Sequence, residues 1–171
     1  MINTRFIKSV LCATTLTCSL ATVSAQADEV IRHKIPGSDF PIAMAIEIPA
    51  SATVVNLSGQ LASVANPEAP KGSIEAYGDT ETQTVSTLKK IESTLKSMGL
   101  TMADVVKMQV FLVGDPAKGG KMDFDGFMKG YTQFFGKEAG QPNLPTRSAF
   151  QVAGLAGPGY LVEIEVTAVR K

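Results

Sequence analysis

The spacing of apolar residues along this chain changes period several times, and each change marks an element. Val30-Ile31-Arg32-His33-Lys34-Ile35 is a short β-branched run stopped by Pro36-Gly37, and the apolar run from Ile42 to Ile48 ends at Pro49, so both read as strands. Thr53-Val54-Val55-Asn56-Leu57-Ser58-Gly59-Gln60-Leu61 is a stronger strand, and the Pro- and Gly-bearing stretch 63–78 reads as a loop. A helical period follows. Val85, Leu88, Ile91, Leu95 and Met98 recur at its spacing, Thr80 with Gln83 makes a capping-box pattern, and Gly99 supplies the stop. Lys89, Lys90, Glu92 and Lys96 fall on the opposite, solvated face.

Val105 to Val113 is β-branched and apolar throughout, the mark of a central strand, and a glycine-rich turn from Gly114 to Gly120 follows it. Phe124, Phe127, Met128, Tyr131 and Phe135 then mark a second amphipathic helix closed by Gly136, with the aromatic stripe expected in the core. Gly126 and Gly130 weaken that helix by about 1 kcal/mol each relative to Ala, so it depends on packing. Two last strands, 147–152 and 160–169, give the order β, β, β, α, β, α, β, β. This predicts an α/β (α+β) domain in which a sheet carries both helices on one face. The other face needs a cover, and a homo-oligomer that buries such faces against one another is the economical answer.

The first residues change the picture of where this domain works. Arg5 and Lys8 precede an apolar, small-residue stretch from Val10 to Val23 and the sequence Ala25-Gln26-Ala27, a signal-peptide pattern over 1–27 with cleavage after Ala27, or alternatively after Ala25. The stretch is too short and too rich in Thr and Ser to span a membrane. The expectation is a single exported domain over 28–171, periplasmic or secreted, with no membrane association after cleavage. Both cysteines of the chain, Cys12 and Cys18, leave with the leader, so the mature protein has no disulfide, cysteine nucleophile or thiolate metal site. Removing Arg5 and Lys8 turns the 16 to 16 charge balance slightly acidic, which provides no electrostatic footprint for nucleic acid.

Candidate chemistry concentrates in Pro145-Thr146-Arg147-Ser148-Ala149-Phe150-Gln151-Val152 and Glu163-Ile164-Glu165. An arginine among apolar neighbours presents a planar fork that suits a carboxylate, and so suggests a site for an acidic small molecule. An internal Arg147–Glu163 ion pair explains the same residues, and spacing leaves both readings open. His33 reads as a surface strand residue.

Several stretches taken together resemble the Rid family, also called YjgF, with the older label L-PSP endoribonuclease. They are Leu57-Ser58-Gly59-Gln60, Gln83-Thr84 opening a helix that ends in Met98-Gly99-Leu100, Asp104-Val105-Val106-Lys107 with Val110-Phe111-Leu112, and Pro145-Thr146-Arg147-Ser148 with Val152, Leu155 and Glu163-Ile164-Glu165. The resemblance covers nearly the whole mature chain. It implies a chorismate-mutase-like fold assembled as a homotrimer with clefts between subunits, and hydrolysis of enamine and imine (2-iminoacid) intermediates to 2-oxo acids and ammonia without metal or cofactor. On that resemblance Arg147 binds the substrate carboxylate and Glu163 orients the attacking water. Ser58 and the main chain around Gly59 and Ala149 complete the site, since Gly permits close approach of a ligand to the chain.

The chain departs from the family where well-studied members carry Pro-Tyr-Ser-Gln-Ala, for it has Pro41-Ile42-Ala43-Met44-Ala45, so a ring and a hydroxyl are missing at Ile42. Ala149 stands where many members have cysteine, and extra residues occur near 116–121 and 137–144. Two readings share the Arg147 anchor: an exported imine hydrolase, and a non-catalytic trimer that binds a small carboxylate. A ribonuclease reading has against it the missing basic stripe and the single His33, which leaves no His pair for acid and base.

Overall fold

From Val106 the run Val105–Val113 alternates: Val106, Met108, Val110 and Leu112 are buried, while Lys107, Gln109, Phe111 and Val113 are more exposed. A strand with that alternation, fully paired on both edges, belongs in the interior of a sheet with one covered face. The computed structural model describes residues 29–170, so the expected signal peptide, with Cys12 and Cys18, lies outside the described residues.

The elements are β1 (Ile31–Lys34), β2 (Ala43–Glu47), β3 (Thr53–Leu61), α1 (Ile74–Tyr77), α2 (Thr80–Ser97), β4 (Val105–Val113), α3 (Phe124–Tyr131), β5 (Thr146–Val152) and β6 (Val162–Arg170). Four strands form a mixed sheet in the order β3-β6-β4-β5, with β4 and β5 parallel and β6 antiparallel to both its neighbours. The chain thus passes from β3 through α2 to β4 and from β4 through α3 to β5, stepping the same way across the sheet each time. Crossovers of one hand that step in one direction leave their helices on one face. Leu88, Ile91 and Leu95 of α2 and Phe127 and Tyr131 of α3 accordingly share one core with Met108, Val110, Leu112, Ile164 and Val166.

The expected mixed fold with both long helices on one face is what the chain adopts; four details differ. The first two strands are a separate antiparallel hairpin rather than members of the main sheet, tied to it by Ala43 N–H donating to Pro145 C=O at 2.9 Å. The loop 63–78 contains the one-turn helix α1, and the second long helix ends at Tyr131, with Phe135 buried beyond it in a turn. The capping box at Thr80 is also corrected. Asp79 is the N-cap, accepting from Thr82 N–H at 2.8 Å, and Thr80 is buried.

Gln83 is released from capping for another task. Its buried amide donates to Gly78 C=O and Gly159 C=O, each at 2.9 Å, while its carbonyl accepts from Leu161 N–H at 2.9 Å. One side chain therefore locks the start of α2 to the entry of β6, pairing main-chain groups that no strand or helix neighbour satisfies. Gly130 likewise has a packing reason, because a Cβ there would lie 2.7 Å from Thr84 Cβ; α3 approaches α2 as closely as a glycine allows. Most of the solvated lysines of α2 are free of such ties, but Lys90 Nζ reaches Leu61 C=O at 2.8 Å and pins the end of β3.

Replacing Gln83 with Leu should lower stability by about 2–4 kcal/mol, since it strands two buried main-chain groups and the partly buried Gly78 C=O. Urea denaturation at fixed protein concentration checks this, and a loss below about 0.5 kcal/mol would show that water replaces the amide.

Candidate functional site

Arg147 lies opposite Met108 in the β4–β5 register, and Met108 is fully buried beneath the helices. Its side chain therefore points to the helix-covered face. There the guanidinium carbon sits 4.3 Å from the ring centroid of Tyr131, 4.9 Å from Phe127, 5.4 Å from Phe40 and 5.8 Å from Phe124. The aromatic stripe of α3 is core, as its period predicts, but its second task is to cradle a cation. Each such contact contributes about 0.5–2 kcal/mol when water is excluded.

The cradle supplies ring faces and few acceptors. Arg147 Nη1 is buried and has no hydrogen-bond partner among the described residues. Burial lowers the guanidinium pKa from its ordinary value, opposed by the neighbouring Tyr131 hydroxyl, yet an arginine stays charged at neutral pH. Burial raises the Tyr131 hydroxyl well above the ordinary tyrosine value, so it remains a protonated donor, and it donates to Pro41 C=O at 2.7 Å. That bond ties the segment carrying Phe40 and Ile42 to the helix that supports Arg147.

Arg147 forms one wall of a hollow of about 510 Å³, shared with Ile35, Ile42 and Met44 of the hairpin region, Lys107 and Met108 of β4, and Ser148. Ile42 thus does face the hollow at the position the resemblance marks. Ala149, on the same side of β5 as Arg147, is half-buried in register with Val110. β5 is the outer strand of the sheet, so main-chain groups on its free side are available. The hairpin is held by Arg32, which donates to Val105 C=O at 3.0 Å, Leu144 C=O at 2.7 Å and Ala103 C=O at 2.9 Å.

Glu163 is elsewhere. It pairs with Phe111 and with Leu61, placing it on the uncovered face. Met108 and Phe111 are three residues apart, so Arg147 and Glu163 project from opposite faces of the sheet, and the internal ion pair that spacing allows does not form. Ser58 and Gly59 make a β-bulge between Leu57 and Gln60, and a Cβ on Gly59 would lie 2.8 Å from Glu163 Cδ. Gly59 is needed there to make room for that carboxylate. Ser58 is exposed on the same bulge.

The expected site residues therefore fall into two groups. Arg147, Ala149 and Ile42 sit at the β5 edge, and Ser58, Gly59 and Glu163 sit at the β3–β6 edge, with β4 between β5 and β6. Strands spaced about 4.8 Å apart put the two sheet edges on the order of 14 Å from each other. One chain does not bring the two groups together. The sequence reading placed Phe127 and Tyr131 in the core stripe, as they are, but did not foresee that they and Phe40 form a bed for Arg147. His33 is on β1 and meets Glu47 at 2.7 Å. Among the described residues no three His, Cys, Asp or Glu side chains converge as metal ligands, and no helix is long and apolar enough to cross a membrane.

Comparison with known proteins adds to this geometry. The family model described as Endoribonuclease L-PSP matches residues 40–170. A RutC family protein of Haemophilus influenzae is 34% identical over 139 residues, covering 81% of this chain and 94% of that protein. The putative reactive intermediate deaminase TdcF of Escherichia coli is 32% identical over 139 residues, covering 81% and 93%. Among solved structures, the Rid protein YyfB of Yersinia pestis superposes with a TM-score of 0.60 at 28% identity, covering 83% of this chain and 98% of its own. The structure of E. coli TdcF with bound serine gives 0.53 at 29% identity, covering 77% and 93%.

Tyr131→Phe should remove the bond to Pro41 while leaving the ring under Arg147, lowering stability by about 1 kcal/mol. Amide exchange should accelerate selectively over residues 38–42; uniform exchange rates would show that the hydroxyl does not hold that segment.

Proposed function

The chain belongs to the Endoribonuclease L-PSP family, the YjgF or Rid proteins, and on that footing we propose that it is an exported hydrolase of reactive enamine and 2-iminoacid intermediates. The observation that carries the reading is the partly buried Arg147 side chain at the wall of a hollow, its Nη1 enclosed and unpartnered. A substrate carboxylate in the hollow would meet the part of the guanidinium that faces it, in a setting where rings exclude water and strengthen a charge-assisted bond. The bound serine in the TdcF structure, itself a small carboxylate, supports the same assignment for a related protein.

In this reading Glu163 takes a proton from water as the oxygen attacks the imine carbon. Glu163 hands that proton to the imine nitrogen, giving a carbinolamine, and the proton of the new hydroxyl then passes to the same nitrogen as the carbonyl forms and the carbon–nitrogen bond breaks, so that 2-oxo acid and ammonia leave. The main-chain groups of Gly59 and Ala149 would steady the developing charges, with the Ser58 hydroxyl beside them. Because Arg147 and Glu163 project from opposite faces, the working site combines Arg147 of one copy with Glu163 of another, as the trimer implied by the family resemblance would allow. The half-exposed Phe150 and its neighbour Phe111, 6.1 Å apart on the uncovered face, give that face apolar surface for another copy to bury.

One observation favours a second reading. The hollow has Ile42 where the resemblance expects a ring and a hydroxyl, and a trimer that only binds carboxylates would not need them.

Ammonia release from 2-iminoacids made in situ by an amino-acid oxidase separates the two. The hydrolase reading expects acceleration over the uncatalysed rate, reduced about a hundredfold or more in Arg147→Ala and in Glu163→Gln. No acceleration from a folded oligomer would leave the binding protein. Mixing the two inactive variants after mild dissociation should restore activity in roughly one site of three in each mixed trimer, since such a site draws an intact arginine and an intact glutamate from different copies. No recovery would mean that one chain supplies both residues. N-terminal sequencing of the exported protein should begin at Asp28, or at Gln26 if cleavage follows Ala25.

A further inference from the structure

Two tyrosines meet at a place the proposed hydrolysis leaves alone. Tyr77 closes α1 and Tyr160 precedes β6, and their rings lie with centroids 4.3 Å apart and planes inclined by 34°. Their hydroxyl ends are together as well: a hydrogen bond with Tyr77, then burial, raises the Tyr160 hydroxyl above the ordinary tyrosine pKa. Ring packing accounts for the stacking but not for the main chain that fixes it. Gln83 donates to Gly78 C=O, just after Tyr77, and to Gly159 C=O, just before Tyr160, each at 2.9 Å, and accepts from Leu161 N–H at 2.9 Å. One buried amide thus holds the chain beside both rings. Gly159 is docked on the same loop, since a Cβ there would lie 2.6 Å from Gly72 O, and a Cβ on Gly157 would lie 3.3 Å from Cδ2 and Cε2 of the Tyr160 ring. Both rings are partly exposed, whereas Tyr131, the third tyrosine of the chain, is fully buried.

We propose that Tyr77 and Tyr160 form an oxidative cross-linking site, at which one-electron oxidants join the two rings of one chain as dityrosine and so bridge the 63–78 loop to the start of β6. The proposal is independent of the hydrolase reading. Each tyrosine loses one electron to the oxidant and its hydroxyl proton to water, leaving two phenoxyl radicals. The radicals pair as a carbon–carbon bond between the ring carbons beside the hydroxyls. The hydrogen on each of those carbons then moves to its oxygen, which restores two phenols. Rings already held face to face couple with each other before either meets a second chain. No cysteine occurs among the described residues, so no disulfide can close this part of the chain, and a dityrosine bridge would restrain a long loop of the unfolded chain in the same way. The bridge would also anchor β6 three residues ahead of Glu163.

The test is brief illumination of the purified full chain with a ruthenium photo-oxidant and persulfate, a one-electron system that needs no docking site. Dityrosine fluorescence should appear in a chain that has lost two hydrogen atoms and still runs as a monomer on denaturing gels, and peptide mapping should place the link between Tyr77 and Tyr160. Tyr77→Phe and Tyr160→Phe keep the rings and their packing, and each should lower the within-chain product at least about tenfold, with circular dichroism confirming the fold. Unfolding in urea before illumination should lower it similarly, because the rings then separate. The bridged chain should unfold at a urea midpoint on the order of 1 M higher than the unbridged one. Links mainly between chains, a yield unchanged in either variant, an equal yield from the unfolded chain, or a bridged chain no more resistant to urea would each overturn the proposal.

Discussion

A buried guanidinium on a bed of rings is the constraint around which the rest of this molecule is arranged. Arg147 projects into the helix-covered side of the sheet, where an arginine is out of place unless something replaces its hydration. Tyr131, Phe127, Phe124 and Phe40 do so in part, through ring faces at 4.3 to 5.8 Å, and leave Nη1 without an acceptor. Three of those rings come from α3, whose two internal glycines make it weak as an isolated helix. Packing against α2 stabilises it, and the Gly130 that weakens the helix is what lets it come close enough to Thr84 to pack. The site's cation thus depends on a helix–helix contact that only a glycine permits.

The topology explains why the two groups of expected site residues are separated. β6 enters the gap left between β3 and β4 by the α2 crossover, and so carries Glu163 between two partners, on the face away from the helices. β5, added by the next crossover, is an edge strand with Arg147 on the helix face. No side-chain motion within a chain exchanges sheet faces, because reversing a strand's face requires a one-residue slip in register. The bulge at Ser58-Gly59 shows the same economy, since the extra residue makes room for the Glu163 carboxylate without disturbing the pairing of Leu61 or Leu57.

Much of this fold was legible in the residues because burial is periodic. β3 and β4 match their apolar runs from end to end, and α2 spans the helical period it was read from. What sequence could not supply were pairings that depend on distant main chain. Gln83 stands where a capping box is expected, yet its amide is drawn to Gly159 and Leu161, more than 70 residues away, and the N-cap falls to Asp79 instead. The hairpin of β1 and β2 reads as two strands of the main sheet, yet it pairs only with itself and is joined to the rest through the Arg32 bonds to three carbonyls, Ala43 N–H to Pro145 and Tyr131 to Pro41. Arg147 and Glu163 were legible as candidates, but their placement on opposite faces follows from β6 being threaded between β3 and β4, which linear spacing does not encode.

The separation of the two halves also changes what assembly means for this protein. Where one chain holds a whole site, association adds stability and little else. Here the chain holds a cation with an unpartnered, enclosed Nη1 at one edge and a carboxylate over a glycine bulge at the other. If a second copy brings Glu163 to Arg147, the water-bearing group arrives only when the subunits are docked, so an isolated chain would hydrolyse nothing. Burying the uncovered face and completing the site would then be a single event, and selection for activity would maintain the interface without any separate requirement for stability.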